Sequence, residues 1–194
     1  MAGIAAVPVS VLFGERGHPM RVAGTAAIVL AAMLVASCDC ERQVMPPVPL
    51  KSFALQDVQG LFGGHAIWAA EDRTAIVQVV GPPPAGQSGL WEKRYKNTLT
   101  AEQWSEVERL VGAHRMATVK MPERPGVPDE AHPIIVAVLK AGGMAKVRKW
   151  ANDKHPDFDP VYAYLLGLCR ARGELVREGV FEWEWRPAGF ERPW

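Results

Sequence analysis

From residue 51 onward, short runs of alternating apolar and polar residues are broken in two places by apolar positions that repeat at three and four. Alternation places every second side chain on one face of a strand, whereas the three-and-four repeat puts a stripe on a helix. The pattern predicts strands over Phe53–Val58, His65–Ala70, Thr74–Val80 and Leu90–Leu99. The polar turn Glu71-Asp72-Arg73 between two of them predicts a hairpin. In the last, Trp91 and Tyr95 share a face interrupted by Lys93, which suits a strand exposed on one side. Gly60 to Gly64 and Gly81 to Gly89 are expected turns or loops.

Thr100 and Gln103 have the spacing of a capping box, so a helix is expected from Thr100, with Trp104, Val107, Leu110, Val111 and His114 on its buried stripe. The second half repeats the theme. Met116–Met121 is an expected strand, followed by a proline-rich loop from Pro122 to Pro133. Ile134–Lys140 and Met144–Trp150 flank Ala141-Gly142-Gly143, a hairpin signal. Asp159 is the expected cap of a second helix with Pro160 at its first position, where a missing amide proton costs nothing, running to about Arg172 and stopping at Gly173. Val180–Trp185 closes the pattern, with Phe181, Trp183 and Trp185 on one face and Glu182 and Glu184 on the other. Hairpin and helix, twice, predict an α+β domain with an antiparallel sheet covered on one face by two helices. The repetition suggests a hairpin-helix pseudo-repeat.

The first fifty residues follow a different rule. Val22 to Ala36 carries neither charge nor proline, with Arg21 ahead of it and Asp39 and Glu41 behind. A positive flank, about 7 to 15 apolar residues and then small residues form the plan of an export signal. Val35-Ala36-Ser37-Cys38 resembles the lipobox of bacterial lipoprotein precursors: a branched aliphatic residue, two small ones and a cysteine. That resemblance implies cleavage before Cys38, a lipidated Cys38 thiol and anchorage to a bacterial membrane. Asp39 matches the residue associated with inner-membrane retention in enterobacterial lipoproteins. Several acyl chains anchor stably because each buried methylene contributes about 0.8 kcal/mol. Met20-Arg21 is a more typical start than Met1 for such a signal. The expected organisation is a signal over 1–37, a lipidated cysteine and proline-rich tether over 38–50, and one domain over 51–194. In its layout of hairpins and helices the domain resembles uncharacterised exported bacterial domains.

Composition sharpens this outline. Cleavage before Cys38 removes Glu15, Arg16 and Arg21 and leaves 157 of the 194 residues, with 20 basic and 20 acidic side chains. A neutral domain does not rely on charge to hold a membrane, and no dense lysine or arginine cluster favours nucleic acid. Of the remaining thiols, Cys40 falls in the tether and Cys169 on the helical face of Val161 and Leu165. They either pair or stay free, and Cys169 reads as a small buried apolar residue.

No nucleophile elbow, phosphate loop, dinucleotide fingerprint or Cys-x-x-Cys is present. The acidic run Asp153-Lys154-His155-Pro156-Asp157-Phe158-Asp159 carries metal-ligating residue types, since carboxylates suit calcium and imidazole with carboxylates suits zinc. Asp129, Glu130 and His132 lie at the same end of the Ile134–Trp150 hairpin and could meet His155 and Asp157 there. His132, His155 and Asp157 are therefore the metal candidates, while His65 and His114 read as ordinary structural residues. Phe181, Trp183 and Trp185 are candidates for an interaction surface. The expected function is a non-catalytic, cofactor-free binding or scaffolding domain tethered in the cell envelope, with an envelope protein or cell-wall component as partner. A metal-dependent hydrolase using the hairpin-end cluster is the alternative.

Overall fold

The computed structural model describes residues 45–190, so Cys38, Cys40 and the signal segment lie outside the described residues. Within them the strands are β1 (Leu50–Gln59), β2 (Gly63–Ala70), β3 (Thr74–Gly81), β4 (Trp91–Thr98), β5 (Ile134–Leu139), β6 (Met144–Arg148) and β7 (Glu174–Val180). They form a seven-stranded sheet in the order β6-β5-β1-β2-β3-β4-β7, antiparallel at every pairing. Helices α1 (Ala101–Ala113) and α2 (Phe158–Leu168) complete the α+β fold. None of the described helices is long and apolar enough to cross a membrane.

Local chemistry accounts for the hairpins. At the β2–β3 turn, Asp72 accepts hydrogen bonds from the Thr74 amide (2.9 Å) and hydroxyl (3.1 Å) while Arg73 takes a left-handed φ of 66°. At the β5–β6 turn, Gly142 and Gly143 adopt φ of 97° and 87°, which residues with a Cβ rarely reach. The capping box of α1 forms as its sequence predicts, with Thr100 and Gln103 each accepting the other's backbone amide proton at 3.1 and 2.9 Å.

Both helices lie on one face. Trp104, Val107, Leu110 and Val111 of α1 and Phe158, Val161, Leu165 and Leu168 of α2 share a core with Phe53, Leu55, Ile67, Val77, Ile135 and Val147 of the sheet. The opposite face has a smaller cluster, Ala54, Ala66 and Trp68, covered by Trp185 and Phe190 from the segment after β7. Trp68 and Trp185 meet edge to face at 5.5 Å.

Six expectations are corrected. Met116–Met121 is not a strand: Arg115 turns the chain with φ 46°, the Thr118 amide bonds back to the Arg115 carbonyl, and Met116 is buried in the core with Val119 and Met121 packed partly buried against it. Helix α2 ends at Leu168, where Arg170 and Ala171 amides donate three residues back and tighten the chain out of the helix. Its cap position is Asp157, which makes no side-chain cap bond; Asp159 and Pro160 lie inside the first turn, where amide protons are free of intrahelical partners in any case.

The last strand is Glu174–Val180, upstream of the expected Val180–Trp185. Leu175, Val176 and Val180 remain 48, 47 and 57% exposed, so this edge strand wrote no burial pattern into the sequence. After one further rung, from the Phe181 amide to the Leu90 carbonyl at 3.0 Å, the chain turns away. On β4, the buried residues of one face are Glu92 and Arg94, not an apolar set. Finally, the tether's last residues are docked: the Val48 amide donates to the Glu108 carbonyl (3.2 Å) and the Pro49 carbonyl accepts from Lys140 (2.9 Å).

Candidate binding cavity on the helix-free face

The helix-free face is built by register. Gln56 on β1 stands opposite Ile134 on β5, and Ile134 stands opposite Arg148 on β6, so all three side chains share one side of the sheet. Val58 follows Gln56 on that side, and the chain then enters the turn Gly60-Leu61-Phe62. Before β5, pairing continues past the strand ends: Lys149 donates to the Pro133 carbonyl (3.1 Å) and Ala151 to that of Ala131 (2.9 Å). His132 is thereby held edge-on to the Trp150 ring, with centroids 3.4 Å apart. From the other side Trp183 closes over Gly60, where a Cβ would meet its ring at 3.3 Å.

These segments enclose a cavity of about 400 Å³. That lies near the lower end of the roughly 300–1,000 Å³ of small-molecule sites. Val58, Ile134, Leu61, Phe62 and Trp183 supply its apolar wall. Three of them are also open to solvent: Leu61 at 65%, Phe62 at 71% and Trp183 at 48% exposure.

The polar wall is more varied. Gln56 is buried, and among the described residues its Oε1 has no hydrogen-bond partner. Glu130 is already occupied, accepting two bonds from Arg124 (2.7 and 2.8 Å) and one from the Asn152 amide (2.9 Å). The Arg124 hydrogen bonds hold its carboxyl below the usual glutamate range. Burial, aided by the charge of Arg148, lowers the pKa of His132 below 6.5, which keeps the ring neutral at pH 7. Asp129 adopts a left-handed φ of 63° and is fixed there by Gln59, whose side-chain amide donates to the Asp129 carbonyl at 2.9 Å.

The sequence candidates separate. Asp129, Glu130 and His132 all line this cavity, as their place at one hairpin end suggests. His155 and Asp157 work elsewhere: His155 Nδ1 accepts from the Asp157 and Phe158 amides, each at 3.3 Å, and so caps α2 from outside. Asp157 faces His114 Nδ1 at 3.3 Å, tying the end of α1 to the start of α2. Among the described residues no group of three or more His, Cys, Asp or Glu side chains is placed to hold a metal ion, so His132, His155 and Asp157 do not converge.

The aromatic trio also divides. Trp183 lines the cavity, with Phe181 against it at 4.7 Å, while Trp185 packs on Trp68 and carries the Arg94 guanidinium 3.5 Å from its ring centre. Gln56, Leu61, Phe62 and Arg148 were not singled out from sequence. One signal was present: an adjacent leucine and phenylalanine inside Gly60-Leu61-Phe62-Gly63-Gly64, a turn that polar residues ordinarily fill. Compared with known proteins, the chain matches no protein-family model, no curated protein and no solved structure.

Proposed function

We propose that this chain is a lipid-anchored protein of a bacterial cell envelope whose domain binds a small, largely apolar ligand in the cavity on its helix-free face. The observation that carries the binding reading is that Leu61, Phe62 and Trp183, all substantially exposed, converge on one cavity. Solvent-exposed apolar groups are unremarkable singly, but grouped around a concavity they mark a binding site. The anchoring reading rests on the lipobox resemblance of Val35-Ala36-Ser37-Cys38. No catalytic residue is assigned.

Two measurements test these parts separately. The full chain carrying Cys38→Ala is titrated with N-phenyl-1-naphthylamine, a neutral dye that brightens in apolar cavities; saturable binding, weakened by Trp183→Ala, is expected. Absence of saturable binding overturns the cavity reading. Labelling of the unsubstituted chain with radioactive palmitate in a bacterial host, lost in Cys38→Ala, is expected of the anchor. Equal labelling of both chains overturns that part.

A further inference from the structure

Two opposite charges on the cavity wall have no ionic partner among the described residues. Arg148, at the end of β6, and Asp129, in the loop before β5, both line it, and both are exposed. They do not pair with each other, since no nitrogen and oxygen of the two approach within 4.0 Å. The neighbouring carboxylate on the wall is already engaged: Glu130 is bonded to Arg124, which also holds Asp153 at 2.9 Å. The cavity therefore offers one cation and one anion, set apart, beside the apolar surfaces of Val58, Ile134 and Trp183.

A ligand with an apolar body and one charge would satisfy one of these groups and leave the other facing it unmatched. A ligand with both charges satisfies both. Guanidinium pairs best with a planar carboxylate, through two parallel hydrogen bonds, and a carboxylate accepts readily from an ammonium group. A neutral His132 adds no third charge to upset this balance. Asp129 is also held in a backbone conformation uncommon outside glycine, asparagine and aspartate, with its carbonyl bound by Gln59, so its position is fixed before any ligand arrives. The volume of about 400 Å³ suits one amino acid or two better than a polymer.

We infer that the cavity takes a small zwitterion with an apolar body, an apolar amino acid or dipeptide, its carboxylate on Arg148, its ammonium on Asp129 and its side chains against Val58, Ile134 and Trp183. This inference rests on the cavity reading above and adds the charge pattern of the ligand.

The test is calorimetry of four forms of leucyl-phenylalanine with the full chain carrying Cys38→Ala: free, N-acetylated, C-amidated and blocked at both ends. The free dipeptide is expected to bind best, and blocking either end to weaken it about tenfold, the scale of one charged hydrogen bond. Arg148→Gln removes the preference for a free carboxylate but keeps that for a free amine; Asp129→Asn does the reverse. Equal binding of all four forms, or none by the free dipeptide, overturns the inference. Naphthylamine binding measured on the same samples separates the two failures. If the dye binds and the dipeptides do not discriminate, the charge pattern is wrong while the apolar cavity stands. If neither binds, both readings fall.

Discussion

Glu92 and Arg94, two residues apart on β4, are both buried on the helix-free face of the sheet and form an ion pair there. Each has a second ionic partner: Arg94 reaches Glu182 at 2.8 Å and Glu92 accepts from Arg177 at 3.3 Å. Gln78, opposite Arg94 across the β3–β4 ladder, also donates to Glu92. Because Glu182 follows β7 and Arg94 stacks on Trp185, this network fastens the segment that carries Trp183 over the cavity.

Removing one member is expected to be costly. Glu92→Ala leaves Arg94 buried with only the more exposed Glu182 to answer it, and breaking a buried pair in this way costs about 3–5 kcal/mol. Replacing both, Glu92→Val with Arg94→Leu, removes a charge of each sign and keeps the Arg177–Glu182 pair, so it is expected to cost less than Glu92→Ala alone. Urea unfolding of the three chains checks this. A double variant less stable than the single would show that the network contributes more than charge balance.

Gly112 makes a second prediction. It lies buried in the last turn of α1, where alanine is the better helix former by about 1 kcal/mol. A Cβ there would meet the Pro46 carbonyl oxygen at 2.6 Å and a Val48 methyl at 3.2 Å. Overpacking of this kind typically costs about 1–3 kcal/mol. Gly112→Ala is therefore expected to destabilise despite its helical preference, and to expose residues 46–49 to limited proteolysis. A more stable, equally resistant protein would show that this segment does not dock on α1.

What could be read from sequence and what could not divides on physical grounds. The turn chemistry of Asp72-Arg73 and Gly142-Gly143, and the capping box of Thr100 and Gln103, are local, and each is found where the sequence places it. The order of strands, with β5 beside β1 and β7 beside β4, depends on pairings between distant segments. Glu92 and Arg94 were missed for the same reason: a charged residue reads as exposed until its partner is known. The cavity was half legible. His132 and its neighbours followed from the hairpin's shared end, but Gln56 and Arg148 became its lining only through the register that aligns β1, β5 and β6. His155 and Asp157 carry metal-ligating types and serve helix ends instead.

Cys169 gives a third test. It is fully buried at the end of α2 and free, and burial pushes its thiol up to about 12. Since the thiolate is the reactive form, the native thiol should be inert at pH 8. In the full chain with Cys38→Ala and Cys40→Ala, dithiobis-nitrobenzoate is expected to label Cys169 only in denaturant. Rapid labelling of the folded protein would show that this end of α2 opens readily.

Stability is expected to fall in two stages as pH drops. His65 and His132 are both held below 6.5, first by burial and then by Arg172 and Arg148 respectively. Their contribution is whole above 6.5 and declines beneath it, because the unfolded imidazoles take up protons that the folded ones resist. The carboxylates act lower. Arg124 and Arg94 hydrogen bonds hold Glu130 and Glu182 below their usual 4.5. Stability from these groups is complete above 4.5 and is lost as pH falls through their folded values, since there the unfolded state binds more protons. Glu130, with a side chain only 2% exposed, should matter more than Glu182 at 46%. Urea midpoints measured from pH 8 to pH 3 check both stages. His132→Gln should shrink the first to the part due to His65 and Glu130→Gln should shrink the second, the latter with a lower midpoint at pH 7. An acid limb unchanged by Glu130→Gln would mean that its bonds to Arg124 add nothing to the fold.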